Sequence, residues 1–146
     1  MKIILGVDDS PYSKAAIDYL ERCAWAKDAE VIALSAAAPV FVGPGEAAAP
    51  MVIEQLNESQ IKYHKDVAAR AEKALRDAGF RAQGRVVHAD PRTALIETAE
   101  REKAELIVIG SHGRSGLAKL LIGSVATHVV THAHCNVLVV KIPRAM

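Results

Sequence analysis

The chain has only two cysteines among its 146 residues, Cys23 and Cys135, far apart and with no C-x-x-C spacing. Its opening, Met1-Lys2-Ile3-Ile4-Leu5-Gly6-Val7-Asp8, meets an acid too early for a signal peptide. Both cysteines therefore read as reduced thiols, and the protein as cytoplasmic. There is no surplus of either charge: 18 Lys+Arg stand against 17 Asp+Glu, a net charge of +1. That argues against a sequence-independent nucleic-acid binder, which needs cations to displace phosphate counterions. The uncharged stretch Val31–Gly45 falls short of the roughly 20 residues of a membrane span and holds Pro39 and Pro44. No internal repeat or linker divides the chain, so residues 1–146 read as one domain.

Apolar residues make up 51% of the sequence and charged residues 24%, enough for a real core. They fall into two alternating kinds of segment. Short runs rich in β-branched residues occur at Ile3–Val7, Val31–Leu34, Arg85–His88, Leu106–Ile109 and Val137–Val140. Several are apolar at nearly every position, which suits strands covered on both faces. Helical spacing separates them. Ser10-Pro11 opens a first helix with Ala16, Leu20 and Cys23 on its buried stripe. A long second helix carries Ile53, Leu56, Val67, Ala71, Leu75 and Ala78 on one face and ends at Gly79. A third opens at Asp90-Pro91, and the last opens at Gly123-Ser124 and stops near Ala133. Between the second strand and the second helix, Ala36–Pro50 is rich in Ala, Gly and Pro and reads as a loop.

The order β-α-β-α-β-α-β-α-β predicts a doubly wound, Rossmann-like α/β domain: five parallel strands in the order 3-2-1-4-5, with helices on both faces. Ligands of such sheets bind beyond the carboxyl ends of the strands, where the strand order reverses. Here that is between strands one and four. Asp8, Asp9 and Ser10 follow the first, and Gly110-Ser111-His112-Gly113-Arg114-Ser115-Gly116 follows the second. Glycines let a ligand approach bare backbone N–H groups, and a helix starting at Gly123-Ser124 adds unpaired donors and the positive end of its dipole. Each hydrogen bond to a charged group contributes roughly 1.5–3 kcal/mol. Three or four of them support binding on the order of micromolar after ordering costs. The ATPase signature G-x4-G-K-[S/T] is absent, and so is the dinucleotide fingerprint G-x-G-x-x-G.

Gly110-x2-Gly113-x9-Gly123-Ser124 is similar to the G-x2-G-x9-G-[S/T] signature of the nucleotide-binding branch of the universal stress protein family. The opening Ile3–Ser10 resembles that family's first strand with its terminal Asp, and Cys135–Lys141 resembles its last strand, so the likeness spans essentially the whole chain. It implies a stress-response regulator that binds ATP, with Mg²⁺, and hydrolyses it slowly or not at all. It implies that Asp8 sits by the ribose or the metal-bound phosphates and that Ala36 meets the adenine through its backbone. Gly110 would contact the ribose side, and Gly113, Arg114, Gly123, Ser124 and Val125 would hold the phosphates. A homodimer through the last strand, Val137–Ile142, is implied as well, and an apolar edge strand needs cover in any case. Two positions depart from the pattern. Asp9 stands where Gly is frequent, adding a charge that favours Mg²⁺ or weakens bare ATP, and Ala89 stands where Gly is frequent ahead of Asp90-Pro91.

Blander readings compete at each of these sites. The glycines could serve only tight turns, Asp8 could only cap the first helix, and Arg114 could simply be solvated. A nucleotide-independent dimeric module that binds partners is the alternative for the whole chain. His128 and His132 are spaced i, i+4 with His134 close behind, but His-Val-Val-Thr-His lacks the Glu of a zinc-protease motif. The three read as a histidine-rich helix end with metal binding left open. His64 and His88 read as surface or loop residues, and His112 as a candidate phosphate contact. No general base for water attack is identifiable beyond Asp8 and Asp9.

Overall fold

The strand Lys2–Gly6 (β1) shows why its apolar run is unbroken. Ile3 and Leu5 point to one face of the sheet and Ile4 to the other, and all three are fully buried. The computed structural model describes residues 1–24, 29–41, 43–45, 49–114 and 121–143. After β1 come α1 (Pro11–Arg22), β2 (Glu30–Ala36), α2 (Pro50–Asp77), β3 (Arg81–Val87), α3 (Pro91–Glu102), β4 (Leu106–Gly110), α4 (Ser124–His132) and β5 (Asn136–Val140). The strands form one parallel sheet in the order β3-β2-β1-β4-β5, as the alternation predicts. Helices α1 and α2 cover one face through Ala16, Leu20, Val67, Ala71 and Leu75; α3 and α4 cover the other through Ala94, Leu95, Ala99, Ala126 and Val129. Among the described residues no helix is long and apolar enough to cross a membrane.

Local chemistry sets the helix ends. Ser10 caps α1, its hydroxyl accepting the Ser13 N–H at 3.1 Å, with Pro11 in the first turn. Asp90 caps α3 in the same way through the Arg92 N–H at 2.9 Å, so Ala89 ahead of it leaves a regular helix start. Past the end of α2, Gly79 takes φ +97°, and Phe80 N–H reaches back to the Leu75 carbonyl at 3.0 Å.

Four expectations shift. Cys23 is the half-buried residue that ends α1, not a member of its stripe, although it still packs on the core. Leu56 is 48% exposed. The cause is length: a 28-residue helix runs about 42 Å, whereas the seven-residue strands it covers run about 23 Å. Its buried residues begin only at His64, so the first half of α2 overhangs the carboxyl end of the sheet. The third strand starts at Arg81, four residues ahead of the apolar signal. Gln83 and Gly84 interrupt that signal, yet Gly84 is required there, since a Cβ would meet the Ala68 carbonyl oxygen at 2.6 Å. The Ala36–Pro50 connection is shorter than read, because Ala36 closes β2 and Pro50 opens α2. Residues 42 and 46–48 of it, and Ser115, Gly116 and residues 117–120, lie outside the described residues.

Candidate functional site

The sheet register brings the two predicted segments together. Gly6 stands opposite Leu34, Leu5 opposite Val108, and Ala36 opposite Val87. Asp8, Ala36 and Ser111 therefore leave the sheet at one level, at the switch between β1 and β4. Ala36 lies half-buried toward the α3/α4 side, and the next residue, Ala37, donates its N–H to the Val87 carbonyl at 2.8 Å.

Asp8 is held by its own turn. Its Oδ1 accepts the Ser10 N–H at 2.8 Å, and its N–H donates to the Ser13 hydroxyl at 3.1 Å. The other carboxylate oxygen faces Gly113, where a Cβ would stand 3.3 Å away. Asp8 thus serves the start of α1 and still presents one oxygen to the crevice. The acid and the bare Cα form a cradle that a side chain at 113 would fill. One carboxylate oxygen facing outward suits Mg²⁺, which takes one or two carboxylates and completes its shell with phosphate and water. Among the described residues no group of three or more His, Cys, Asp or Glu gathers to hold a metal by itself.

Gly110 and Gly123 differ from Gly113. A Cβ at Gly110 would meet Tyr12 Cβ at 2.7 Å and the Tyr12 backbone at 2.8 Å, so the first turn of α1 packs directly on this glycine. Gly123 precedes α4 and donates its N–H to the Ser111 carbonyl at 2.6 Å, which folds the glycine loop back onto the end of β4. Its own carbonyl accepts the Thr127 N–H at 3.0 Å, the first bond inside the helix. Among the described residues no side chain caps α4. The N–H groups of Ser124, Val125 and Ala126 are the first-turn donors that a helix leaves unpaired, and they carry the positive end of its dipole. His112, beside this turn, packs its ring on Tyr12 with centroids 4.9 Å apart and has Nδ1 3.0 Å from the Ser111 hydroxyl.

Arg114 is engaged. Its Nε lies 3.1 Å from Asp9 Oδ1, and its guanidinium sits over the ring of Tyr63, a residue of α2, at 4.7 Å. The Tyr63 hydroxyl and the Asp9 carboxylate are close enough to perturb each other, yet they do not close a hydrogen bond. The hydroxyl oxygen is buried without a hydrogen-bond partner among the described residues. Burial, reinforced by Asp9, pushes the Tyr63 phenol up to about 12. The Tyr63 hydroxyl, then the Arg114 guanidinium, holds the Asp9 carboxyl below its ordinary value. On the α1/α2 side, Asp8 and Asp9 line a groove of about 210 Å³ with Lys14 and Arg70 at its edge.

Sequence reasoning missed Tyr63 and misread His64, which is not a surface or loop residue. His64 is buried, its Nδ1 2.7 Å from the hydroxyl of Ser35, which is itself fully buried. Burial, and then Arg114, lowers the His64 pKa. The signal was present, because His64 continues the stripe Val67, Ala68, Ala71, Leu75 at helical spacing. The histidines at the end of α4 are engaged elsewhere. His128 and His132 stack at 4.2 Å on α4, with His132 Nδ1 3.0 Å from the His128 carbonyl, and His134 Nε2 lies 3.2 Å from Glu100.

The model of the universal stress protein family matches residues 1–141. Universal stress protein MJ0531 of Methanocaldococcus jannaschii is 37% identical over 145 residues, covering 98% of this chain and 83% of that protein. Among solved structures, that of hypothetical protein MJ0577 superposes with a TM-score of 0.83 at 26% identity, covering 99% of this chain and 97% of its own. A universal stress protein solved in complex with cAMP superposes at 0.64 with 25% identity, covering 97% of this chain and 96% of its own.

Proposed function

The chain belongs to the universal stress protein family, and on that premise we propose that it is a cytoplasmic stress-response regulator that binds ATP and hydrolyses it slowly or not at all. The observation that carries this reading is the cradle at the β1/β4 switch, where the bare Cα of Gly113 lies against Asp8 with the uncapped start of α4 beyond. A related protein solved with cAMP supports an adenine nucleotide as the ligand class.

In this reading the phosphates rest on the backbone of Gly113, Gly123, Ser124 and Val125, with Arg114 beside them. Asp8 meets the ribose or a Mg²⁺ on the phosphates, Gly110 lies on the ribose side, and the Ala36 backbone lies by the adenine. Mg²⁺, when bound, would neutralise phosphate charge next to Asp8. Slow hydrolysis follows from the state of the bases. Asp8 is hydrogen-bonded within its turn, Asp9 is paired with Arg114, and His64 is buried against Ser35. Each of the three is already engaged by a neighbour, whereas a general base for water must be free to take a proton from it.

A homodimer through Val137–Ile142 belongs to the same proposal. β5 is an edge strand whose outer backbone groups face no strand among the described residues, and Ile142 beyond it is 42% exposed. That same edge, with the exposed Met51 and Val52 at the start of α2, is what favours the second reading, a partner-binding module indifferent to nucleotide.

Calorimetric titration with ATP decides between them. The nucleotide reading expects a dissociation constant below about 100 μM. No heat, and no competition by ATP up to millimolar concentration, would favour the second.

A further inference from the structure

We propose that Asp9 is an internal competitor for Arg114, so that a nucleotide phosphate reaches the guanidinium only by displacing the Asp9 carboxylate, which then turns to the Tyr63 hydroxyl. This rests on the nucleotide reading above and names the regulation of that same site.

One guanidinium ties three elements together. Arg114 comes from the loop after β4, Asp9 from the loop after β1, and Tyr63 from α2. The ion pair is 3.1 Å long, and the ring lies 4.7 Å below the guanidinium. The pair is half exposed, with the side chains 55% and 45% accessible, so an incoming anion can reach it and water already screens it. Such a contact is weak enough to open and strong enough to compete.

The partner for the released carboxylate is already in place. Among the described residues the Tyr63 hydroxyl, buried beside Asp9, has no hydrogen-bond partner, an unfavourable state for a polar group. Exchange leaves each group matched: Arg114 passes from carboxylate to phosphate, and Asp9 passes from guanidinium to hydroxyl.

The competition is read by ATP titration of the full chain and four variants: Asp9→Asn, Arg114→Ala, the double variant, and Tyr63→Phe. Asp9→Asn tightens ATP binding about three- to five-fold, and in the Arg114→Ala background the same change alters affinity by less than about 1.5-fold. Tyr63→Phe keeps the ring and removes the hydroxyl, and weakens binding at least about two-fold. The competition is overturned if Asp9→Asn leaves affinity unchanged, or if its gain is equal in both backgrounds, since Asp9 would then act by general repulsion. Unchanged affinity in Tyr63→Phe overturns the exchange of partners. If neither the wild type nor Asp9→Asn binds ATP at millimolar concentration, the nucleotide reading itself fails and this inference with it.

Discussion

Gly113 and Asp8 meet across the crevice with no side chain between them. A Cβ on the glycine would stand 3.3 Å from Oδ2 of the acid, whose other oxygen is fixed by the Ser10 N–H at 2.8 Å. The two residues are over a hundred positions apart, and the parallel register of β1 and β4 brings them together. A methyl group at 113 needs a small adjustment, but a branched side chain has to enter the cradle or push Asp8 off its turn.

Gly113→Ala therefore keeps ATP binding with a modest loss, and Gly113→Val loses about 100-fold or more, equivalent to one or two charge-assisted hydrogen bonds. Both variants fold. Calorimetry measures the first effect, and thermal melting followed by circular dichroism checks the second.

Gly110→Ala behaves differently, because Tyr12 occupies the space where the new Cβ would go, at 2.7 Å from its Cβ and 2.8 Å from its backbone. Backbone cannot rotate away as a side-chain tip can. Overpacking of this kind costs about 1–3 kcal/mol, read as a lower urea midpoint in protein free of nucleotide. An unchanged midpoint would mean that α1 is not seated on this glycine.

The two glycines look alike in the sequence, which is why the spacing reveals the site but not the separate duties of its members. Strand order, both helix faces and the meeting of Asp8 with the glycine loop were legible, since alternating apolar periods and short connections dictate them. The start of β3 was not, because Gly84 is selected by the approach of α2, a contact no local pattern encodes. Nor was Tyr63. A Tyr on an amphipathic helix says nothing of what covers it until α2 is laid over the end of β2 and the Arg114 loop. Leu56 erred the other way: its periodicity is helical, but the sheet beneath it has ended.

His64 gives the fold a pH dependence of predictable sign. Burial lowers its folded pKa beneath the ordinary 6.5, while the unfolded chain titrates at that ordinary value. Below it the unfolded state binds more protons, so the contribution of His64 is complete above about pH 6.5 and is lost as the pH falls. Stability measured by urea unfolding should decline from pH 7 to pH 5. His64→Gln, which keeps a polar partner for Ser35, should flatten that slope. An identical slope in the variant would remove His64 as its source.

The dimer is tested on the outer edge of β5. Asn136 N–H donates to the Glu105 carbonyl at 3.3 Å, and the Val140 carbonyl accepts from Ser111 N–H at 2.8 Å. The alternation of a parallel strand then turns the N–H groups of Val137 and Val139 outward. Val139→Pro removes one outward donor and none that bonds β4. Light scattering on a sizing column should give a dimer for the wild type and a monomer for the variant. A wild-type monomer at micromolar concentration would contradict pairing through this strand.

The central claim is that backbone N–H groups hold the phosphates, and amide chemical shifts of the ¹⁵N-labelled protein during an ATP titration test it most directly. The account predicts that the largest saturating shifts fall on Gly113, Gly123, Ser124 and Val125. Those shifts should shrink when adenosine, which carries no phosphate, replaces ATP. Amides that stay still at these four positions while others move, or that respond equally to adenosine, would contradict it.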